Sequence, residues 1–269
     1  MEFLRTQDVV PSRKVKISGR DASRRSGRRS LHPFMSAKED IMAQKRVVII
    51  GGHGKIALLA APKLAASGFD VDAVIRDPDQ VADVEAAGAS PIVLDVENAT
   101  KTELAKTFDG AHAVVFSAGA GGGNPQRTQA VDRDAAILTM DTAAEAGVQR
   151  YIMVSYSRAD QDVHELDPEN SFYPYAKAKY EADQHLRGTD LQYTILGPGM
   201  LTEEPETGLI DVVDAEDAAR RRSQESAGAE TTSRSNVAAV IAHCLRDDVG
   251  ARQTIRLFDG STPIADALS

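Results

Sequence analysis

Short apolar runs alternate with amphipathic segments from residue 45 onward. The runs are rich in Val and Ile, which favours strands that are buried on both faces of a parallel sheet. The segments between them repeat apolar residues every three or four positions, which predicts helices. The predicted strands are Arg46–Ile50, Asp70–Ile75, Pro91–Leu94, His112–Phe116, Arg150–Val154, Gln192–Leu196 and Gln253–Phe258.

Helices are predicted between these strands and at the C-terminal end. Many of them stop near a glycine, which suits the left-handed residue that commonly terminates a helix. The predicted helices are Lys55–Ser67, Gln80–Ala87, Thr100–Thr107, Gln126–Ala146, Pro174–Leu186, Ser235–Leu245 and Pro263–Leu268. This alternation predicts an α/β fold, a doubly wound parallel sheet of the Rossmann type with a small C-terminal substrate-side region.

Two segments break the alternation. Residues 1–44 are basic and show no sustained period, so we expect a disordered extension that precedes a single domain at 45–269. Three interpretations stay open: an upstream extension with the start at Met42 or Met35, a targeting segment, or a basic interaction arm. Thr202–Ser233 is first acidic and then basic, and we predict a surface insertion or lid on the substrate side, at about 200–233.

Charge and composition narrow the class of partner. Residues 1–42 carry ten Lys and Arg against five Asp and Glu, which leaves 21 against 35 in the acidic remainder. An acidic body argues against nucleic acid, and no apolar run reaches the roughly 18 residues of a membrane span. The single cysteine, Cys244, lies in an apolar run and indicates a core residue in a reducing compartment. We therefore expect a cytoplasmic monomer or homodimer that acts on a small molecule.

A glycine cluster follows the first strand directly and opens the next helix. Glycines permit φ > 0 and a close approach of the backbone to a ligand, and the helix directs its positive dipole end at the same place. The spacing fits Gly52-x-Gly54-x-x-Ala57, the dinucleotide fingerprint, and also Gly51-x-x-Gly54-x-x-Ala57, which is typical of extended and atypical short-chain dehydrogenases. The second register is the better description, and it predicts that a pyrophosphate lies here, with Lys55 and Ile56 also at the cofactor.

The end of the second strand indicates which dinucleotide is bound. Arg76 suits a 2′-phosphate by bidentate pairing and favours NADP(H). Asp77 is adjacent and would instead accept a hydrogen bond from the 2′-hydroxyl of NAD, so NAD stays possible.

The next two strands end in further candidate cofactor contacts. Asp95 and Val96 follow the third strand, where such folds meet the adenine ring, although Asp95 also suits the cap of the following helix. The fourth strand leads into a second glycine-rich turn that includes Ala118 and Gly119. Ligands of open α/β sheets bind at this edge, so we expect both glycine turns to face one cofactor.

Two overlapping Tyr-x-x-x-Lys pairs follow the fifth strand, Tyr173 with Lys177 and Tyr175 with Lys179. Residues four apart share a helix face, so either pair could bring an ammonium group near a phenol and lower its pKa from about 10. Pro174 favours the first helical position, which places Tyr175 and Lys179 inside the helix and Tyr173 outside it. We predict that Tyr175 is the general acid-base and that Lys179 lowers its pKa.

His164 stands among acidic residues in a stretch that we expect to be a loop. No second histidine lies at ligand spacing from it, so no metal site is predicted.

Together these motifs resemble an atypical short-chain dehydrogenase/reductase of the NAD(P)-binding, NmrA-like kind, related in architecture to NAD-dependent epimerases and dehydratases. The segments that carry the resemblance are Gly51–Ala57, Ile75–Asp77, Val154–Ser155, Tyr175–Asp183, Tyr193–Gly199 and Asn236–Ala238. The resemblance implies that Lys179 is the family's lysine and that the Pro198-Gly199 turn closes over the nicotinamide.

The chain also departs from the family's pattern. Gly197 stands where the family usually has Arg, and Asn236 stands where it usually has Asp. The family's serine pair reads Ser155-Tyr156 here, so the catalytic serine stays open between Ser155 and Ser157.

The resemblance implies an NADP(H)-dependent oxidoreductase that transfers hydride to or from a small carbonyl or quinone-like substrate. In that scheme Tyr175 moves the proton, Lys179 also binds the ribose, and Ser155 or Ser157 donates a hydrogen bond to the reacting oxygen. Two alternatives stay open: a sugar-nucleotide epimerase or dehydratase with tightly bound NAD, and a non-catalytic NADP(H) redox sensor.

Overall fold

The computed structural model describes residues 45–121, 123–223 and 230–269. The predicted extension at 1–44 lies outside these residues. The strands are β1 Lys45–Ile50, β2 Phe69–Ile75, β3 Ser90–Val93, β4 Ala113–Phe116, β5 Arg150–Val154, β6 Gln192–Pro198, β7 Met200–Thr202, β8 Leu209–Val213, β9 Thr231–Ser233, β10 Gln253–Asp259 and β11 Thr262–Pro263.

Helices connect most of these strands. They are α1 Lys55–Ala66, α2 Val81–Ala86, α3 Lys101–Phe108, α4 Pro125–Thr128, α5 Ala136–Glu145, α6 Ala159–Glu165, α7 Tyr173–Arg187, α8 Ala215–Ser223, α9 Arg234–Arg246 and α10 Ile264–Ala267. A 3₁₀ turn at Pro78–Gln80 precedes α2, and a π-helical segment at Gln129–Ala135 joins α4 to α5. None of the helices in the described ranges is long and apolar enough to cross a membrane.

Within the described chain, nine strands form one sheet in the order β11-β8-β10-β6-β5-β4-β1-β2-β3. The pairs from β3 to β6, and β6 with β10, are parallel, whereas β8 pairs antiparallel with β10 and β11. This architecture confirms the predicted Rossmann-type α/β fold. The chain crosses from β3 back to β4 beside β1, and ligands bind at the carboxyl edge of such a switch point.

Both faces of the sheet are buried. Alternate residues of β1 enter opposite cores: Val47 and Ile49 pack toward α1 and α9, while Val48 and Ile50 pack toward α3 and α5. All four are fully buried, which explains the uninterrupted apolar run of this strand. Cys244 is also buried in the first of these cores.

The predicted insertion at Thr202–Ser233 is partly wrong. It contains β8, whose residues pair with β10 and β11 and whose Ile210 is fully buried. The remainder adds α8 and a two-stranded sheet of β7 and β9. The antiparallel strand was missed because its partners are distant in sequence, whereas the charge run is a local signal.

Three local predictions also need correction. The predicted helix Gln126–Ala146 is interrupted by the π-helical segment, and α6 occupies the stretch around His164 that we expected to be a loop. Tyr173 is the first residue of α7 rather than a residue outside it. Pro174 fits the second position because the amides of the first helical turn have no partner within the helix.

Candidate functional site

The first glycine turn, which follows β1, lies very close to the main chain of two neighbouring segments. Gly51 has φ +82°, and a Cβ atom there would lie 2.6 Å from the Cα of Ala118 in the second glycine turn. The amide of Gly52 donates to the carbonyl oxygen of Val74 at 2.8 Å, and a Cβ atom there would clash with Ala73 on β2. The two turns are therefore in contact, and larger residues cannot replace these glycines without a shift of the backbone.

The start of α1 presents free main-chain donors. Gly54 is the N-cap residue, no side chain caps the helix, and no acidic residue occurs in the first turn. The first amides of a helix have no partner within the helix, and they carry the positive end of the dipole. These groups suit an anion such as a pyrophosphate.

A cavity of about 230 Å³ adjoins this turn at the ends of β1, β2 and β3. Arg76 lines it, is exposed, and makes no ion pair within the described part of the chain. Asp77 does not line the cavity, and its Oδ1 accepts a hydrogen bond from the amide of Asp79 at 3.0 Å. Of the two residues, Arg76 is thus the one that faces this cavity.

Asp95 and Val96, the predicted contacts of an adenine ring, both line this cavity. Asp95 accepts hydrogen bonds from the amide of Glu97 at 3.2 Å and from Nδ2 of Asn98 at 2.8 Å. It does not cap α3, because Thr100 does so in a capping box. The alternative interpretation of Asp95 as the cap of that helix is therefore wrong.

Two larger cavities continue along the same edge of the sheet, with volumes of about 780 Å³ and about 620 Å³. The first and second cavities share Ser117, Ala118 and Gly119. The second and third cavities share the residues Ser155, Phe172, Tyr175 and Leu201. The three cavities therefore adjoin one another along this edge of the sheet, and together we call them the edge cleft.

Lys179 lines the second of the three cavities and is only 1% exposed. Its Nζ donates to the carbonyl oxygen of Val154 at 2.7 Å. Burial lowers the pKa of Lys179, while the nearby carboxylates of Asp132 and Asp183 raise it. The ammonium is thus under the influence of two buried acidic residues that the sequence analysis did not single out.

Tyr175 does not have the electrostatic environment that we predicted. Burial raises the pKa of its phenol, and the charges of Asp132 and Asp183 raise it further. Its ring packs 5.5 Å from that of Tyr156 and 5.2 Å from that of Phe172, measured between centroids. The predicted lowering of this pKa by Lys179 is not found: burial has the largest effect and raises the pKa, and the Lys179 ammonium donates to the carbonyl oxygen of Val154.

The two candidate serines occupy different environments. Ser155 lines both larger cavities, and its Oγ donates to Oδ2 of Asp183 at 2.6 Å. Ser157 lines only the third cavity, where its amide donates to the carbonyl oxygen of Pro198 at 2.9 Å. Ser155 is therefore the serine that shares a cavity with Lys179.

The Pro198-Gly199 turn lines the third cavity. The amide of Gly199 donates to Oγ1 of Thr232 at 2.9 Å, and a Cβ atom at Gly199 would clash with the main chain of Glu230. Ile56 lines the second cavity, whereas Lys55 is exposed and pairs with Glu203 at 2.6 Å. Lys55 does not line any of these three cavities.

Asn236, one of the departures from the family pattern, has a structural role. It is fully buried, and its Nδ2 donates to Oδ1 of Asp259 at 2.7 Å. Its Oδ1 accepts from the amides of Thr207 and Gly208, which fixes the approach to β8.

The acidic residues beside Lys179 were missed for different reasons. Asp183 belongs to the segment that carries the family resemblance, but its spacing alone indicated only a helix face. Asp132 lies in the π-helical segment, where it accepts from the amide of Ala120 at 3.0 Å. Single-turn π-helical geometry often marks functional sites and has no simple sequence pattern.

Known proteins resemble this chain in sequence. A family model described as NAD(P)H-binding matches residues 51–248. A Bacillus subtilis protein named as an uncharacterized sugar epimerase, YhfK, is 33% identical over 226 residues, which cover 83% of this chain and 98% of that protein.

Solved structures agree with the fold. A protein from Bacillus halodurans, provisionally described as an NAD-dependent epimerase/dehydratase, is 30% identical with a TM-score of 0.71, covering 82% of this chain and 97% of that one. The oxidoreductase ylbE from Lactococcus lactis is 28% identical with a TM-score of 0.69, covering 82% and 94%.

Proposed function

Because the chain belongs to the NAD(P)H-binding family, we propose that it is an NADP(H)-dependent oxidoreductase that transfers hydride to or from a small carbonyl or quinone-like substrate. The observation that carries the proposal is the edge cleft. It joins the two glycine turns, which suit a dinucleotide, to the cluster of Ser155, Tyr175 and Lys179. A nicotinamide that extends along this cleft would meet groups able to exchange a proton with a reacting oxygen.

The residues of the cleft fit such a cofactor. The free amides at the start of α1 would bind the pyrophosphate, and the N-cap residue Gly54 has no side chain that occupies them. Val96 would contact the adenine ring, and Lys179 lies at the boundary toward the substrate. The bound cofactor supplies the hydride chemistry, and the protein supplies orientation and proton exchange.

Two observations support NADP(H) over NAD(H). Arg76 lines the first cavity with its guanidinium group unpaired within the described residues, which suits a 2′-phosphate. Asp77, which would accept from a 2′-hydroxyl, is instead engaged by the amide of Asp79.

The side chains that line the third cavity favour an uncharged, partly aromatic substrate. Rings and apolar side chains dominate its wall, including those of Tyr156, Phe172 and Phe258. Two arginines also line it, but both are paired with acidic residues: Arg158 with Asp162 and Glu165, and Arg234 with Glu203. A neutral carbonyl or quinone matches this surface better than an anion would.

The test is oxidation of NADPH by the purified full chain across a panel of aldehydes, ketones and quinones. We expect oxidation that depends on the added substrate. If the protein binds NADPH but shows no turnover with any member of the panel, the catalytic proposal fails and the redox-sensor alternative is favoured.

A second function is favoured by one observation, the name of the Bacillus subtilis relative as a sugar epimerase. Such a reaction regenerates its own cofactor, so NAD that stays bound through purification would support it. Mass spectrometry of nucleotide released from the purified protein distinguishes this outcome from an exchangeable NADP(H).

A further inference from the structure

We propose that Ser155 and Asp183 form the pair that delivers the reaction's proton, with Ser155 touching the substrate oxygen and Asp183 acting behind it as a positioning residue. This inference rests on the proposed oxidoreductase function and names the groups that complete it. In this scheme Tyr175 lines the second and third cavities and does not donate the proton.

The geometry of the pair carries the inference. Ser155 faces both larger cavities of the edge cleft, and its Oγ lies 2.6 Å from Oδ2 of Asp183. Asp183 is only 2% exposed and does not line those cavities. It can therefore exchange a proton with a ligand in the cleft by way of the Ser155 hydroxyl. A contact of this length suits either direction of donation, from the hydroxyl to a carboxylate or from a carboxylic acid to the hydroxyl.

The surroundings of the second carboxyl oxygen, Oδ1, indicate that Asp183 can take up a proton. Oδ1 is buried and has no hydrogen-bond partner among the described residues. A buried acceptor without a partner disfavours the charged form of the group. Consistent with this, burial raises the pKa of Asp183 to about 6, although Lys179 and the Ser155 hydroxyl act to lower it.

Several ionisable groups surround Asp183 and affect its proton affinity. They are Lys179 and Arg187 on α7, Asp160 on α6, and the phenols of Tyr156 and Tyr175. The two cations lower the pKa of Asp183 and Asp160 raises it. A value close to the operating pH suits a group that must both give and regain a proton.

The alternative donor, Tyr175, is poorly placed electrostatically. Its phenol loses a proton less readily than an ordinary tyrosine, because burial and two nearby carboxyl groups raise its pKa. Ser155 avoids this difficulty, since it gives its proton to the substrate while it receives one from Asp183. Neither a bare alkoxide nor a phenolate has to form.

The proposed step balances in the reduction direction. The carbonyl carbon receives the hydride that bound NADPH supplies, and the C=O π electrons move to oxygen. The Ser155 hydroxyl proton passes to that oxygen as the carboxylic proton of Asp183 passes to Oγ of Ser155. The products are the alcohol, NADP⁺ and the Asp183 carboxylate, which regains a proton from water through Ser155. The oxidation direction reverses each transfer.

The experiment compares four variants of the full chain with wild type, using the best carbonyl substrate of the panel and NADPH. Asp183→Asn and Ser155→Ala should each lower kcat by about 100-fold or more, with NADPH affinity unchanged. Ser155→Thr keeps the hydroxyl and should retain most of the activity. Glu181→Gln, on the same helix but paired with Arg133, should behave as wild type.

The pH profile separates proton delivery from a structural role. For wild type, kcat/KM for reduction should fall as the pH rises through about 6, where Asp183 loses its proton. Asp183→Asn should lack this step. An active wild type whose Asp183→Asn variant keeps its kcat and its pH profile would overturn the inference while leaving the proposed function intact. A wild type that never oxidises NADPH would overturn both.

Discussion

The ammonium group of Lys179 donates a hydrogen bond of 2.7 Å to the carbonyl oxygen of Val154, the last residue of β5. This bond fixes α7 against the end of β5, which Ser155 directly follows. It also holds a buried positive charge beside Asp132 and Asp183. This one side chain therefore lowers the pKa of both acidic residues, against the effect of their burial.

Replacement of Lys179 by Met should destabilise the protein and move its pH profile. Removal of one partner from a buried charged group costs about 3–5 kcal/mol, so the free energy of unfolding in urea should fall by that order. Any remaining activity should show its descending limb at higher pH, because Lys179 is the largest charge that lowers the pKa of Asp183. An unchanged limb would show that the two groups are not coupled.

Arg76→Ala should weaken NADPH binding selectively. Loss of a charge-assisted hydrogen bond costs about 1.5–3 kcal/mol, which corresponds to roughly 10- to 100-fold in Kd, while the Kd for NADH should stay within about 2-fold. Calorimetric titration measures both. Lys101→Ala is the matched control, since it removes an exposed cation that pairs with Glu145 outside the cleft. Equal losses for NADPH and NADH would refute the role of Arg76.

Asp183→Asn should change how stability depends on pH. The folded-state pKa of about 6 lies above the ordinary value of 3.8, so the native state binds more protons between these values. Wild type should therefore lose stability relative to the variant as the pH rises, by about 2 kcal/mol between roughly pH 4.5 and 7.5. Urea unfolding at several pH values measures the difference. A gap that stays constant with pH would mean that Asp183 titrates normally.

Tyr175→Phe should retain turnover within about 10-fold of wild type, because the ring still packs against Tyr156 and Phe172. General acid catalysis contributes about 100-fold or more, so a larger loss would identify the phenol as the proton donor. Steady-state kcat with saturating NADPH shows whether the phenol of Tyr175 or the hydroxyl of Ser155 donates the proton. Tyr173→Phe, in the neighbouring tyrosine-lysine pair, is the control.

Local sequence patterns were sufficient to predict the fold and the position of many residues of the cleft. The apolar run of β1 and the glycines after it are contiguous in sequence, so their strand-turn-helix geometry could be predicted directly. Arg76 could be placed for the same reason, since it follows the end of β2. Spacing on a helix also placed Tyr175 and Lys179 on α7.

Features that depend on distant contacts were not predictable in this way. Helical spacing brings Lys179 near Tyr175, but the carbonyl of Val154 decides where its ammonium group lies. Asp132 reaches the cleft through π-helical geometry, and β8 enters the sheet through pairing with β10. Each of these features depends on contacts between segments that are far apart in the sequence, and a local sequence pattern carries no information about such contacts.

The central claim, that the first glycine turn binds the pyrophosphate of NADPH, is tested most directly by a pair of substitutions at Gly54. A Cβ atom there would lie 3.1 Å from the carbonyl oxygen of Gly51, so this carbonyl has to shift slightly, and by the same amount in both variants. Both Asp and Asn are favourable N-cap residues, so Gly54→Asp and Gly54→Asn should fold with melting temperatures that match each other. The two variants differ only in the negative charge at the start of α1.

Calorimetric titration with NADPH should show binding to wild type, weaker binding to Gly54→Asn, and at least about 100-fold weaker binding to Gly54→Asp. That order would show that an anion binds at this helix start. Equal affinity of Gly54→Asp and wild type for NADPH, or no binding by wild type, would contradict the account.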